Sequence, residues 1–222
     1  MSRFKMGVAA IALVLGFASG AWSQGMRGGM GQQAPQLFGE FKPVIGAGGQ
    51  YHVTTKNGSS TFTYVIVGQE DVEGNTGYWM EIRSENPRMP GEVVMKQLLV
   101  ISGKNIQIKR MIMQRAGQPP TEMPMDFMPG LGHLEQGPEN SPGVKIGVDT
   151  ITVPAGTFEC DHYRKQEPRR TVDSWMSTKV TPYGLVKSSS EETTIELTKI
   201  LSNEASHIKG EPQKMNIPIP RR

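Results

Sequence analysis

The chain has a single cysteine, Cys160, among 222 residues. One thiol cannot close a disulfide within its own chain, so stability has to come from a buried core. An excess of one charge is also missing: 24 Lys and Arg stand against 21 Asp and Glu. That balance lacks the basic footprint of a protein built for nucleic acid or an anionic membrane surface. No run reaches the roughly 20 apolar residues that a membrane-spanning helix needs. No segment carries a sustained apolar stripe of 3.6-residue period, which argues against a helical bundle. A Gly-x-Ser-x-Gly elbow and a glycine-rich phosphate loop are absent too, so neither hydrolase nor nucleotide chemistry has a foothold.

What is present begins with an export signal. Arg3 and Lys5 precede the small-and-apolar run Gly7 to Ala18, and Ala21 and Ser23 are small residues at the positions a signal peptidase reads. Residues 1–23 are therefore expected to be a signal peptide. No cysteine follows the apolar run, so no lipid anchor is expected. Removing 23 of 222 residues leaves 199 and takes away Arg3 and Lys5 with no acid, lowering the net charge from +3 to +1. Residues 24–36 are rich in Gly and Gln and read as a flexible tether. Residues 203–222, ending in Asn216-Ile-Pro-Ile-Pro-Arg-Arg222, read as a disordered tail.

Between these ends, residues 37–202 read as one β domain. Gln50 to Thr55 is β-branched and aromatic, the Asn57-Gly58 pair signals a hairpin, and Thr61 to Val67 follows. In Tyr78 to Arg83, Tyr78, Met80 and Ile82 point one way while Trp79, Glu81 and Arg83 point the other. Val93 to Ile101 and Ile106 to Met113 form a further hairpin around Ser102-Gly103-Lys104-Asn105. Strands resume at Asp149–Val153, Thr157–Lys165, Thr171–Ser177, Leu185–Ser190 and Thr193–Leu201. Residues 116–147 hold six prolines and read as a long Pro/Met-rich loop, a length that is usually functional. The expected fold is mainly β: an antiparallel curled sheet or half-barrel of about eight to eleven strands, with little helix.

The stretch Val153-Pro-Ala-Gly-Thr-Phe-Glu-Cys160, then Trp175, then Pro182-Tyr-Gly-Leu-Val-Lys187 resembles an uncharacterised exported bacterial family grouped with the lipoprotein carriers LolA and LolB. The resemblance spans roughly Gln50 to Ile200. It implies an incomplete barrel with an apolar cavity for acyl chains and an envelope location, most simply the periplasm.

Candidate chemistry is sparse. Cys160 and His162 lie two apart on one strand face, which admits a metal pair or a thiol nucleophile with its base. Further ligands and an orienting third group are missing, so a buried thiol beside a satisfied histidine is the plainer reading. Glu159 and Asp161 alternate with them as solvated strand residues do. No catalytic residue, metal or cofactor is assigned. The 14 methionines stand out. Thioethers are soft ligands suited to Cu(I), and they also line adaptable apolar surfaces. The expected binding surface comprises Trp79, Met111, Met113, Met123, Met125, Phe127, Met128 and Trp175, taking a lipid, an acylated protein or a hydrophobic envelope partner. The alternatives are a Met-rich copper-binding protein and a structural component that pairs by strand addition. N-terminal sequencing of the exported chain is expected to begin at Gln24; a chain retained at the membrane and starting at Met1 overturns the signal assignment.

Overall fold

The computed structural model describes residues 39–86, 89–102, 105–125, 133–135, 142–168 and 170–215. The expected signal peptide and tether, Phe127, Met128 and residues 216–222 lie outside them.

The alternation read from the sequence becomes long antiparallel strands. The first meander comprises β1 (Gly48–Thr55), β2 (Gly58–Val72), β3 (Asn75–Asn86), β4 (Met89–Ser102) and β5 (Asn105–Arg115). Two short strands follow, β6 (Thr121–Met123) and β7 (His133–Glu135), both paired with β5. The second meander comprises β8 (Val144–Val153), β9 (Gly156–Glu167), β10 (Arg170–Met176), β11 (Leu185–Ser189) and β12 (Thr193–Leu201), and β13 (Gln213–Lys214) closes the series. The turn between β2 and β3 shows why tight hairpins form here. Glu73 and Gly74 both take positive φ, 54° and 79°, the backbone of a twist-matched two-residue turn.

All the strands belong to one curled, non-closed sheet in the order β13-β6-β5-β4-β3-β2-β1-β12-β11-β10-β9-β8, with β7 beside β5. The two meanders join where β1 pairs antiparallel with β12. Register breaks interrupt six of the strand pairs. Each such bulge bends its strand and adds right-handed twist, so curling follows from the pairing itself. In that order β5, β6 and β13 lie at one end of the sheet and β8 forms the other.

Registers define two faces, because residues directly opposite one another share a face. One face, called inner here, carries Tyr51, Phe62, Tyr64, Ile66, Met80, Ile82, Leu99 and Leu197, all buried. Residues 39–47 and the loop at 177–184 meet it. The Phe41 ring centroid lies 5.0 Å from that of Tyr183 and 6.1 Å from that of Tyr78. Lys42 N–H donates to the Pro182 carbonyl at 2.8 Å.

Two expectations need correction. Residues 116–147 are not loop throughout, since β6, β7 and the start of β8 fall within them. Their backbone donors and acceptors extend the sheet beyond β5, which outweighs their proline content. Nor is the tail disordered over residues 203–215. It runs as a strap across the outer face of β3, β4 and β5, then pairs parallel with β6. Its anchor is Glu81, whose side chain is 0% exposed. That carboxylate accepts from Ser206 Oγ at 2.6 Å, from His207 N–H at 2.9 Å and from Arg83 Nε at 2.8 Å. Arg83 in turn reaches Glu204 and the Ala205 carbonyl, each at 2.9 Å. Ile208 packs on Trp79, Leu98 and Ile112. The strap is ordered because it supplies the partners that buried Glu81 and Arg83 require.

Removing one member of such a buried pair is costly. Glu81→Ala is expected to lower unfolding stability by about 2–3 kcal/mol, read by urea denaturation, because the Ser206 hydroxyl and His207 N–H lose their acceptor and buried Arg83 keeps only Glu204. A loss below about 1 kcal/mol would show that the strap is not held this way.

Candidate functional site

The inner face changes character along the first meander. One lateral row reads Ile66, Met80, Gln97, Met111 and Met123 across β2 to β6, each directly opposite the next. All five are buried. The adjacent row reads Tyr64, Ile82, Met95, Met113 and Thr121. Tyr64 and Ile82 are buried, whereas Met95, Met113 and Thr121 are only half-buried. In the next row Val93 is half-buried and its partner Arg115 is exposed. The face is therefore closed around β1 and β2 and opens at the corner formed by β4, β5 and β6.

This corner is lined by thioethers. Met95 lies opposite Met113, and Met111 lies opposite Met123. Gln97 Nε2 sits 3.7 Å from the Met95 sulfur, so that sulfur turns toward the column holding Met111. Met125, also half-buried, follows β6 two residues on. Unbranched methionine side chains adapt to irregular apolar partners more readily than leucine or isoleucine.

The structure places Met111, Met113 and Met123 on one face in adjacent register positions, together with Met95 and Met80. It does not bring the two tryptophans to them. Trp79 alternates with Met80 and so stands on the outer face, 7% exposed. There its indole N–H donates to Glu70 at 2.9 Å. Lys96 Nζ and Arg110 Cζ lie 4.7 and 5.2 Å from its ring centroid. Burial lowers the Lys96 pKa from its ordinary value. Trp175 is likewise on the outer face, opposite His162, with ring centroids 4.5 Å apart and planes inclined by 28°. Trp79 is fixed by a carboxylate and two cations and Trp175 by a carboxylate and an imidazole ring, both on the face opposite the methionine corner. The signal that separates Trp79 from the methionines is the alternation of Tyr78 to Arg83. Met95 was missed because a continuous apolar run does not reveal which of its residues share a face.

The Cys160 and His162 pair takes its plainer form. Burial pushes the Cys160 thiol up to about 11, with Asp161 and Asp149 adding to the effect, and the side chain is 1% exposed. Both His162 ring nitrogens are engaged, Nδ1 with Asp149 at 2.8 Å and Nε2 with Asp173 at 2.9 Å. Neither is left to take a proton from the thiol. Asp173 also receives Arg164 Nε at 2.8 Å, and Trp175 Nε1 donates to Asp149 at 2.9 Å. Among the described residues, no group of three or more His, Cys, Asp or Glu could hold a metal ion. No helix among them is long and apolar enough to cross a membrane.

A thiol held neutral and covered reacts slowly. Iodoacetamide at pH 8 is expected to leave Cys160 unmodified in the folded protein and to alkylate it fully in 6 M guanidinium, as read by intact mass. Comparable rates in both states would contradict its burial.

No family model matches the chain, and no curated protein matches it. Solved structures do. An exported protein described as having a YmcC-like fold, from Bacteroides fragilis, aligns with TM-score 0.36 at 12% identity, over 73% of this chain and 99% of its own. A protein described as a lipoprotein, from Parabacteroides distasonis, aligns with TM-score 0.37 at 13% identity, over 72% of this chain and 97% of its own.

Proposed function

We propose that the protein is an exported, non-enzymatic binding protein of the bacterial envelope, most simply of the periplasm, whose inner face takes an apolar ligand at the corner of β4, β5 and β6. One observation carries this reading: the row Met95, Met113 and Thr121 is half-buried where the same row is fully buried over β2 and β3. Apolar side chains that the fold leaves partly covered gain from a partner that completes their burial. Each methylene of an acyl chain placed there contributes about 0.8 kcal/mol before the cost of immobilising it. The carrier role that the LolA and LolB resemblance implies would use such a face. The signal peptide supports export. The engaged His162 and the covered Cys160 support a role without covalent chemistry.

A second reading has its own observation. Strand β8 ends the sheet, so its outer edge has no strand partner among the described residues. It carries exposed Val144, Ile146 and Val148, at 71%, 48% and 56%. An envelope protein could add a strand there.

One experiment separates the two. A fluorescent fatty acid is expected to bind the purified protein and to be displaced by unlabelled palmitate. Met113→Asp should weaken binding at least tenfold, whereas Trp175→Phe on the opposite face should leave it unchanged. No binding of the probe, or equal binding by Met113→Asp, removes the apolar-ligand reading. Photocrosslinks from position 144 or 146 to another protein in intact cells would then support strand addition.

A further inference from the structure

The methionine corner has a chemical property that apolar contact does not use. Four thioether sulfurs occupy contiguous positions on one face of three neighbouring strands: Met95 on β4, Met111 and Met113 on β5, and Met123 on β6. Directly opposed Cβ atoms in such pairs stand about 4.5–5.5 Å apart, and diagonal neighbours about 7–8 Å. Each sulfur lies two single bonds beyond its Cβ on a flexible chain, so three of the four can turn to one point without moving the backbone. Met111 and Met113 are central to every such triple. Met95 completes it from one side and Met123 from the other.

We propose that these four methionines form a binding site for a soft monovalent cation of the Cu(I) class. Thioether donors select soft ions over Zn²⁺, Mg²⁺ or Ca²⁺. The fold supplies the other requirements of such a site. Met95 and Met113 are half-buried, which leaves an entry path, while Met111 and Met123 are buried and supply a dry floor. The Met95 sulfur accepts a contact from Gln97 Nε2 at 3.7 Å, and Gln97 stands directly opposite Met111. Among the described residues, the cross-strand neighbours of the four methionines are Ile82, Gln97 and Thr121, and none of them carries a charged carboxylate. The site does not depend on whether an apolar ligand binds, and metal uptake is read independently of fatty-acid displacement.

A pH signature distinguishes this site from histidine or cysteine ligation. Thioethers carry no proton in the ordinary range, so uptake releases none and affinity is unchanged between pH 8 and pH 5. A site using His162, His207 or Cys160 weakens as pH falls, because protons compete for those ligands. The test offers the purified protein Cu(I) held by the weak coloured chelator ferrozine under reducing, oxygen-free conditions and follows loss of the chelate's colour. One equivalent is expected to transfer at both pH values, and native mass spectra should show a single bound copper. Met111→Leu with Met113→Leu keeps the volume and removes the two central sulfurs, with circular dichroism confirming that the sheet persists. This double variant should lose at least tenfold in affinity, whereas Cys160→Ser should bind as the parent does. Any one of four results overturns the proposal: no transfer, transfer that fails at pH 5, full binding by the double variant, or loss of binding in Cys160→Ser.

Discussion

The fold depends on one long-range pairing, that of β1 with β12. Every other strand of the two meanders pairs with a neighbour in sequence, through short turns except for the loop at 177–184 between β10 and β11. Only Gly48–Thr55 against Thr193–Leu201 joins the start of the domain to its end. Closing so long a segment costs little more than closing a short one, about 0.6 kcal/mol per doubling of length. It is slow to find, however, because much of the chain must be ordered before the contact forms. Side chains brace the seam: Thr198 Oγ donates to the Gln50 carbonyl, and the Tyr51 hydroxyl donates to the Leu185 carbonyl, each at 3.0 Å. With β1 and β12 paired in the middle of the sheet, one outermost strand is β8, from the middle of the sequence, and the other is β13, from its tail.

The two faces are finished by different physics. The outer face is covered by the strap at residues 203–215 and holds its charge inside a closed network. Glu81 and Arg83 satisfy one another, and the strap satisfies both. Buried charges of this kind add little net stability, but they accept few alternative arrangements and so pin the strap in one register. The inner face is finished by its own aromatic and aliphatic rows, with Phe41 and Tyr183 packed at one end. At the other end it passes into methionine and remains partly uncovered.

That transition gives the molecule its chemistry. Where the rows are Tyr, Phe and Ile, shape is fixed and the interior is filled. Where they become Met, the surface is polarisable, pliable and soft as a ligand. An apolar ligand exploits the first two properties and a soft cation the third, so one patch of sheet has two chemical uses.

The alternation of the strands, the Asn57-Gly58 hairpin, the lone buried thiol and the all-β class were legible in the residues, because they follow from local periodicity and turn geometry. Most strands between Gln50 and Leu201 lie close to where the alternation placed them. The faces were legible only in part. Tyr78 to Arg83 already set Trp79 against Met80, but nothing local told which of Met95 or Lys96 would join Met113, since that depends on register and on bulges between strands distant enough to slip. The order of the tail was hidden for the same reason. Residues 203–215 are polar and proline-flanked when read alone, and they are ordered by a carboxylate and a guanidinium contributed by β3. The residues by themselves determined that sheets would form and roughly where. Long-range pairing decided which side chains meet, because a shared face is a property of two strands in register and belongs to neither strand alone.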